Sequence, residues 1–158
     1  PSLASDLVFA GRMSDEGIYR QRTAFLREVA WKLKGTSHQM MFYPSEAMPH
    51  SLFRTPEIAA SATAVLGYGR PDSPGWVDVR VFQYPGAGGV LLHDDVGGYL
   101  VSGLHYLRYE RHNSDSVMDA LALAKEFGPL IREEAFRFIQ EQHTSLTRVR
   151  QALQEVGL

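Results

Sequence analysis

The run Trp76–Glu110, WVDVRVFQYPGAGGVLLHDDVGGYLVSGLHYLRYE, decides how this chain is read. Its first nine residues alternate, with Val77, Val79 and Val81 on one side of a strand and Asp78 and Arg80 on the other. Two further β-type runs follow, Gly89–Asp94 and Tyr99–Glu110, and the connectors PGAG and DVGG are short and turn-rich. Connectors that short join antiparallel neighbours. The expectation is a three-stranded antiparallel meander over about 76–109.

Outward from it, helical signals flank both sides. Ser14 suits an N-cap, Asp15 and Glu16 suit the positive end of a helix, and Gly35 suits a stop after Lys32 and Lys34. Ile18, Phe25, Leu26, Val29 and Leu33 share one face at helical spacing. His38–Pro44 reads as a short strand and residues 44–55 as loop. Thr55–Gly67 reads as a helix opened by Thr55 and Pro56, with a strand over Thr63–Tyr68 as the competing reading. Residues 1–13 show no sustained period and are expected to form an extended arm or short strand, and RPDSPG (Arg70–Gly75) a loop. After the meander, helix resumes near Ser114 or Ser116, with Val117, Leu121, Ala124 and Phe127 inward. It is expected to break at Gly128-Pro129, and a last helix runs from Pro129 to about Val156 with a bend near His143–Ser145. Ile139, Leu146, Val149, Leu153 and Val156 keep a 3-and-4 spacing that suits packing on the sheet or a dimer seam. Together these signals describe a single α+β domain over 1–158. Its antiparallel sheet, the meander plus one or two further strands, is packed by an N-terminal helix and C-terminal helices.

Composition narrows the function. An apolar fraction of 44% and a charged fraction of 22% are those of an ordinary globular domain. Without cysteine there is no disulfide framework, thiolate metal site or cysteine nucleophile. The first thirteen residues lack a basic segment and Asp6 interrupts their apolar run, so no secretion signal is expected; nothing nears the length of a membrane span. A net charge of −2 argues against a dedicated nucleic-acid binder. A cytoplasmic setting is the expectation. Arginine outnumbers lysine thirteen to three, and arginine offers the planar, forked donors used in recognition.

The glycines and the His93-Asp94-Asp95 triplet look like chemistry but fail on context. GAGG leads from strand to strand without a following Lys-Ser or Lys-Thr, so it fits turns better than a phosphate loop. On a strand, His93 and Asp94 point to opposite faces, so the triplet does not form a metal site, and Asp95 suits the opening of a turn. The six histidines show no HxH, HExxH or HxxxH spacing, and no G-x-S-x-G motif is present. No catalytic residue, metal or cofactor is therefore assigned. The meander register leaves one mixed face bearing Trp76, Asp78, Arg80, Phe82, Tyr84, His93, Tyr106 and Arg108, with Arg80 opposite His93. Three roles fit it: cover by the chain itself, a protein interface anchored by aromatic and arginine side chains, or a pocket. The leading expectation is a non-enzymatic binding protein acting on a protein partner or as a homodimer, of an accessory, regulatory or immunity type. The alternative is a small-molecule-binding protein or small enzyme, with His93 as proton carrier, Arg80 as anion anchor and Asp78 orienting one of them.

Overall fold

The computed structural model describes residues 5–43, 54–69 and 77–155. Its strands are β1 (Ser5–Ala10), β2 (Met40–Tyr43), β3 (Ala62–Leu66), β4 (Leu91–His93) and β5 (Leu107–Arg108). Its helices are α1 (Arg20–Lys34), α2 (Thr55–Ser61), α3 (Arg80–Gly86), α4 (Ser114–Gln142) and α5 (Ser145–Glu155). The strands form one sheet in the order β2-β1-β3-β4-β5, and every pairing is parallel. The expected antiparallel α+β fold is thus overturned. The architecture is a doubly wound α/β sheet, in which the chain steps from β1 to one edge, returns across β1 to β3, and then winds the other way.

Burial explains the parallel arrangement. Leu7, Val8, Phe9 and Ala10 are all buried, as are Ala64, Val65 and Leu66 and then Val90, Leu91 and Leu92. Strands covered on both faces read as unbroken apolar runs rather than alternating ones. Leu7, Phe9, Ala64, Leu66, Val90 and Leu92 pack with Phe25, Leu26, Val29 and Leu33 of α1 and with Val117, Leu121 and Ala124 of α4. Val8, Ala10, Val65 and Leu91 face the other way, onto Ile58 and Ala59 of α2 and Val81 and Tyr84 of α3. Of the two expectations for residues 1–13, an extended arm or a short strand, the strand holds, and it lies inside the sheet.

In the first strand expected for the meander, Trp76–Tyr84, residues 80–84 belong to α3. Val77, Val81 and Tyr84 satisfy a helical period as well as Val77, Val79 and Val81 satisfy a strand. Val79 separates the two readings: it is 60% exposed, whereas Val81 and Tyr84 are buried. PGAGG is not a hairpin turn but the end of α3. The Gly89 N–H donates to Tyr84 O and the Gly88 N–H to Pro85 O, both at 2.9 Å, with Gly88 at φ +78°. That paired bonding is a Schellman cap, which needs a residue that tolerates left-handed backbone. Asp95 does open a turn, accepting from the Gly97 N–H at 3.0 Å.

Other expectations divide. β2 forms where a strand was expected; α1 starts later than expected, with Tyr19 rather than Ser14 at its N-cap, and buries its expected face, while Ile18 precedes it and is exposed. Thr55–Gly67 splits into α2 and β3, so the competing strand reading applies to its second half. α4 starts at Ser114, its Asn113 cap accepting from the Asp115 and Ser116 N–H groups at 3.1 and 3.2 Å. It runs straight through Gly128-Pro129, and Phe127 lies exposed. Gly128 faces the sheet, where a Cβ would meet Val90 at an ordinary 3.5 Å. α5 does break from α4 near His143, but Leu146, Val149 and Leu153 are exposed rather than packed on the sheet. The loop readings of 44–53 and 70–75, and Val156, lie outside the described residues. Among the described residues no helix is long and apolar enough to cross a membrane.

Candidate functional site

In an open parallel sheet the strand ends open a crevice where the winding reverses, here between β1 and β3. A cleft of about 210 Å³ lies there, bounded by the C-terminal ends of β1, β3 and β4 and by α1 and α3. That is room for about seven waters at ~30 Å³ each, the size of a small ionic group with a short organic attachment. Two glycines keep its walls close. A Cβ on Gly11 would fall 2.9 Å from the Phe9 ring and 3.4 Å from an Arg80 guanidinium nitrogen. One on Gly67 would fall 2.2 Å from His93 Cδ2.

Positive charge dominates the lining. Arg12, Arg22 and Arg80 face the cleft together with one carboxylate, Asp78. Asp78 starts α3, accepting from the Arg80 N–H at 2.9 Å and lying 3.8 Å from the Arg80 guanidinium. Arg22 packs over the rings of Tyr19 and Phe9 at 4.7 and 5.4 Å and donates through one terminal nitrogen to Arg12 O. Its Nε is buried and has no hydrogen-bond partner among the described residues. Burial pulls the Arg22 guanidinium below its ordinary value, and the charge of Arg80 adds to that, partly offset by Tyr19, Tyr68 and Asp78. A buried donor left unmade costs about 1–3 kcal/mol, so this one is suited to an acceptor supplied from outside.

The tyrosines frame the site. Tyr84 donates its hydroxyl to Ala10 O at 3.2 Å, and burial pushes its pKa up to about 12. Tyr109 donates to Gly67 O at 2.8 Å, which ties β5 to the β3 exit. Behind the cleft, Asp94 is a buried anchor. It accepts from the Gly69 N–H at 2.8 Å and from Arg111 Nε, and its Oδ1 lies 3.0 Å from His93 Nδ1. Burial alone would raise its pKa; the His93 hydrogen bond and charge, the Gly69 N–H and Arg111 outweigh that and hold it at about 2.

The expected binding face does not exist as one surface. Asp78, Arg80, Tyr84 and His93 do converge, on the cleft. Phe82 instead packs between Tyr99 and His143, and Tyr106 is buried in the second core. Arg108 is exposed at β5 and donates from Nε to the Asp94 carbonyl at 3.2 Å. Trp76 lies outside the described residues. Arg80 does not pair with His93 across two strands, because Arg80 is helical. His105 is buried and accepts from the Val101 N–H at 3.2 Å, as a packed histidine is expected to.

The sequence reading missed Arg12, Arg22, Tyr68 and Arg111, and it set Asp94 aside on strand alternation, whereas Asp94 lies just past β4 with Oδ1 3.0 Å from His93 Nδ1. The available signal was an apolar run ending in glycine, seen twice: LVFAGR at residues 7–12 and AVLGYG at residues 64–69. Both are strand exits of the kind that border such a crevice. Among the described residues no cluster of three or more histidine or carboxylate groups is placed to hold a metal ion. No protein-family model and no curated protein matches the chain.

Proposed function

We propose that this chain binds a small anionic molecule in the cleft at the ends of β1, β3 and β4. The supporting observation is the surplus of guanidinium groups, three against one carboxylate, with Arg22 Nε buried and unpaired among the described residues. Arginine forks match phosphate, sulfate or carboxylate oxygens in pairs. Arg22 and Arg80 grip the anion, and Asp78 keeps Arg80 in place. The cytoplasmic setting expected from composition is part of the same proposal. Calorimetry with sulfate and pyrophosphate tests it. Replacing both arginines (Arg22→Gln with Arg80→Gln) should weaken binding at least about tenfold to a hundredfold, the value of one charge-assisted hydrogen bond. Unchanged affinity in that double variant would discard the assignment.

A second reading retains protein contacts. Leu146, Val149 and Leu153 form an exposed apolar stripe on α5. Such a stripe suits a second copy of the chain. Light scattering that finds only monomer at high concentration would remove this reading.

A further inference from the structure

We propose that the elbow between α4 and α5 is a pH-sensitive latch, which holds α5 against the domain while His143 is neutral and releases it when that ring takes up a proton. α5 buries none of its residues, so apolar packing does not fix its position. Arg148 ties it back. One terminal nitrogen donates to His143 Nδ1 at 3.0 Å, and the guanidinium lies 5.8 Å from the centre of the Phe82 ring. The His143 ring in turn stacks on Phe82 of α3 at 4.7 Å and lies 5.2 Å from Phe138 of α4. α5 carries the exposed stripe of Leu146, Val149 and Leu153, so the latch sets where that stripe is presented.

The hydrogen bond fixes the state of the ring. A guanidinium only donates, so Nδ1 of His143 must offer a lone pair, and the ring hydrogen sits on Nε2. His105, on the other side of Phe138 at 4.2 Å, is fixed in the same way, because its Nδ1 accepts from the Val101 N–H at 3.2 Å. A proton from solvent at His143 Nδ1 forms one N–H bond there and leaves two donors facing each other, with two positive charges in contact. An aromatic face tolerates an imidazolium, so the stacking on Phe82 does not oppose the change. The bond to Arg148 does.

The groups around His143 act in the same direction. From α3 comes Phe82, backed by Tyr99; from α4 comes Phe138; from α5 comes Arg148; and from the segment before β5 comes His105. Burial, then the charge of Arg148, then His105 hold His143 below the ordinary histidine value of 6.5. His105 is also held below that value by burial, against the opposing charge of Glu134 on α4. The docked elbow therefore binds fewer protons than the released one. Docking is fully favoured above pH 6.5 and is lost as pH falls below it, by at most about tenfold per pH unit for one proton.

The chain has no cysteine, so nitroxide labels can be placed by substitution alone. Gln83→Cys on α3 with Ala152→Cys on α5 reports the elbow, and Gln83→Cys with Ala24→Cys on α1 reports the body of the domain. Pulsed electron resonance gives the distance distribution of each pair between pH 8 and 5, and nitrogen NMR shows which nitrogen of His143 holds hydrogen. At pH 8 the elbow pair should be narrow and His143 the Nε2–H form. Toward pH 5 the elbow pair should broaden, with its midpoint at or below 6.5, while the body pair stays unchanged. His143→Gln, which keeps an acceptor but does not titrate, should stay narrow throughout, and Arg148→Met should be broad at both ends. An Nδ1–H ring at pH 8, an elbow pair that keeps one width from pH 8 to 5, or the same broadening in His143→Gln overturns the latch. Broadening of both pairs together also overturns it, because the whole domain then opens rather than the elbow.

Discussion

Gly67→Ala tests the geometry on which the site depends. Gly67 does not occupy the left-handed region, so its backbone accepts alanine, and reduced freedom of the unfolded chain would by itself favour the variant by about 0.4–1 kcal/mol. Sterics oppose that. The new Cβ would sit 2.2 Å from His93 Cδ2, 3.1 Å from Nε2 and 3.2 Å from Leu91 Cδ1. To regain carbon–carbon contact the ring must retreat by more than about 1 Å. His93 is 4% exposed, accepts from the Asp95 N–H at 3.1 Å and lies 3.0 Å from Asp94, so the retreat disrupts these contacts or displaces β4. Overpacking of this kind costs about 1–3 kcal/mol, which leaves a net loss of about 1–2 kcal/mol. Urea unfolding measures it, and the His93 ring signals should move at the same time. A double-mutant cycle with His93→Ala identifies the cause: without the ring, Gly67→Ala should cost little or stabilise. A Gly67→Ala protein as stable as wild type with unmoved His93 signals would refute the placement of the ring over the β3 exit.

Two further outcomes follow from the same packing. Asp94→Asn should destabilise by about 2 kcal/mol at neutral pH, the value of a carboxyl lowered from 3.8 to about 2. Because the folded pKa is the depressed one, that stability is present above pH 3.8 and is lost as pH falls toward 2. Unfolding curves at pH 7, 4 and 3 should converge, and a gap that does not change with pH contradicts the assignment. Gly128→Ala should do the reverse of Gly67→Ala, raising stability by about 0.5–1 kcal/mol, since its Cβ meets Val90 at an ordinary 3.5 Å inside a helix. A lower melting temperature would mean that α4 lies closer to β4 than this spacing allows.

What could be read in advance follows the range of the forces involved. The buried face of α1, the start of α4 and the strand β2 depend on spacing and caps within a few residues, and they stand where the pattern put them. The Trp76–Tyr84 run failed because its valines suit two periods, and exposure of Val79, a property of the packed molecule, separates them. PGAGG failed for a related reason. Glycine permits left-handed backbone both in a hairpin and at a helix end, and the bonds to Tyr84 and Pro85 decide between them. Of the expected face, Asp78, Arg80, Tyr84 and His93 line the cleft together, although the strand pairing that grouped them does not exist. Arg12 and Arg22 were out of reach, because they meet only when the sheet is assembled, whereas Asp94 was set aside on a strand alternation that stops at His93, the last residue of β4.

By itself, then, the sequence determined which segments are helical or extended wherever one period prevails, along with the absence of thiol chemistry and an excess of arginine over lysine. Tertiary structure decided that the strands run parallel, and that the arginines and His93 face one crevice. A strand's hydrogen-bond partner lies tens of residues away, and nothing in its own residues names it. Only burial on both faces, imposed by helices from elsewhere in the chain, selects the parallel order and brings these charges together.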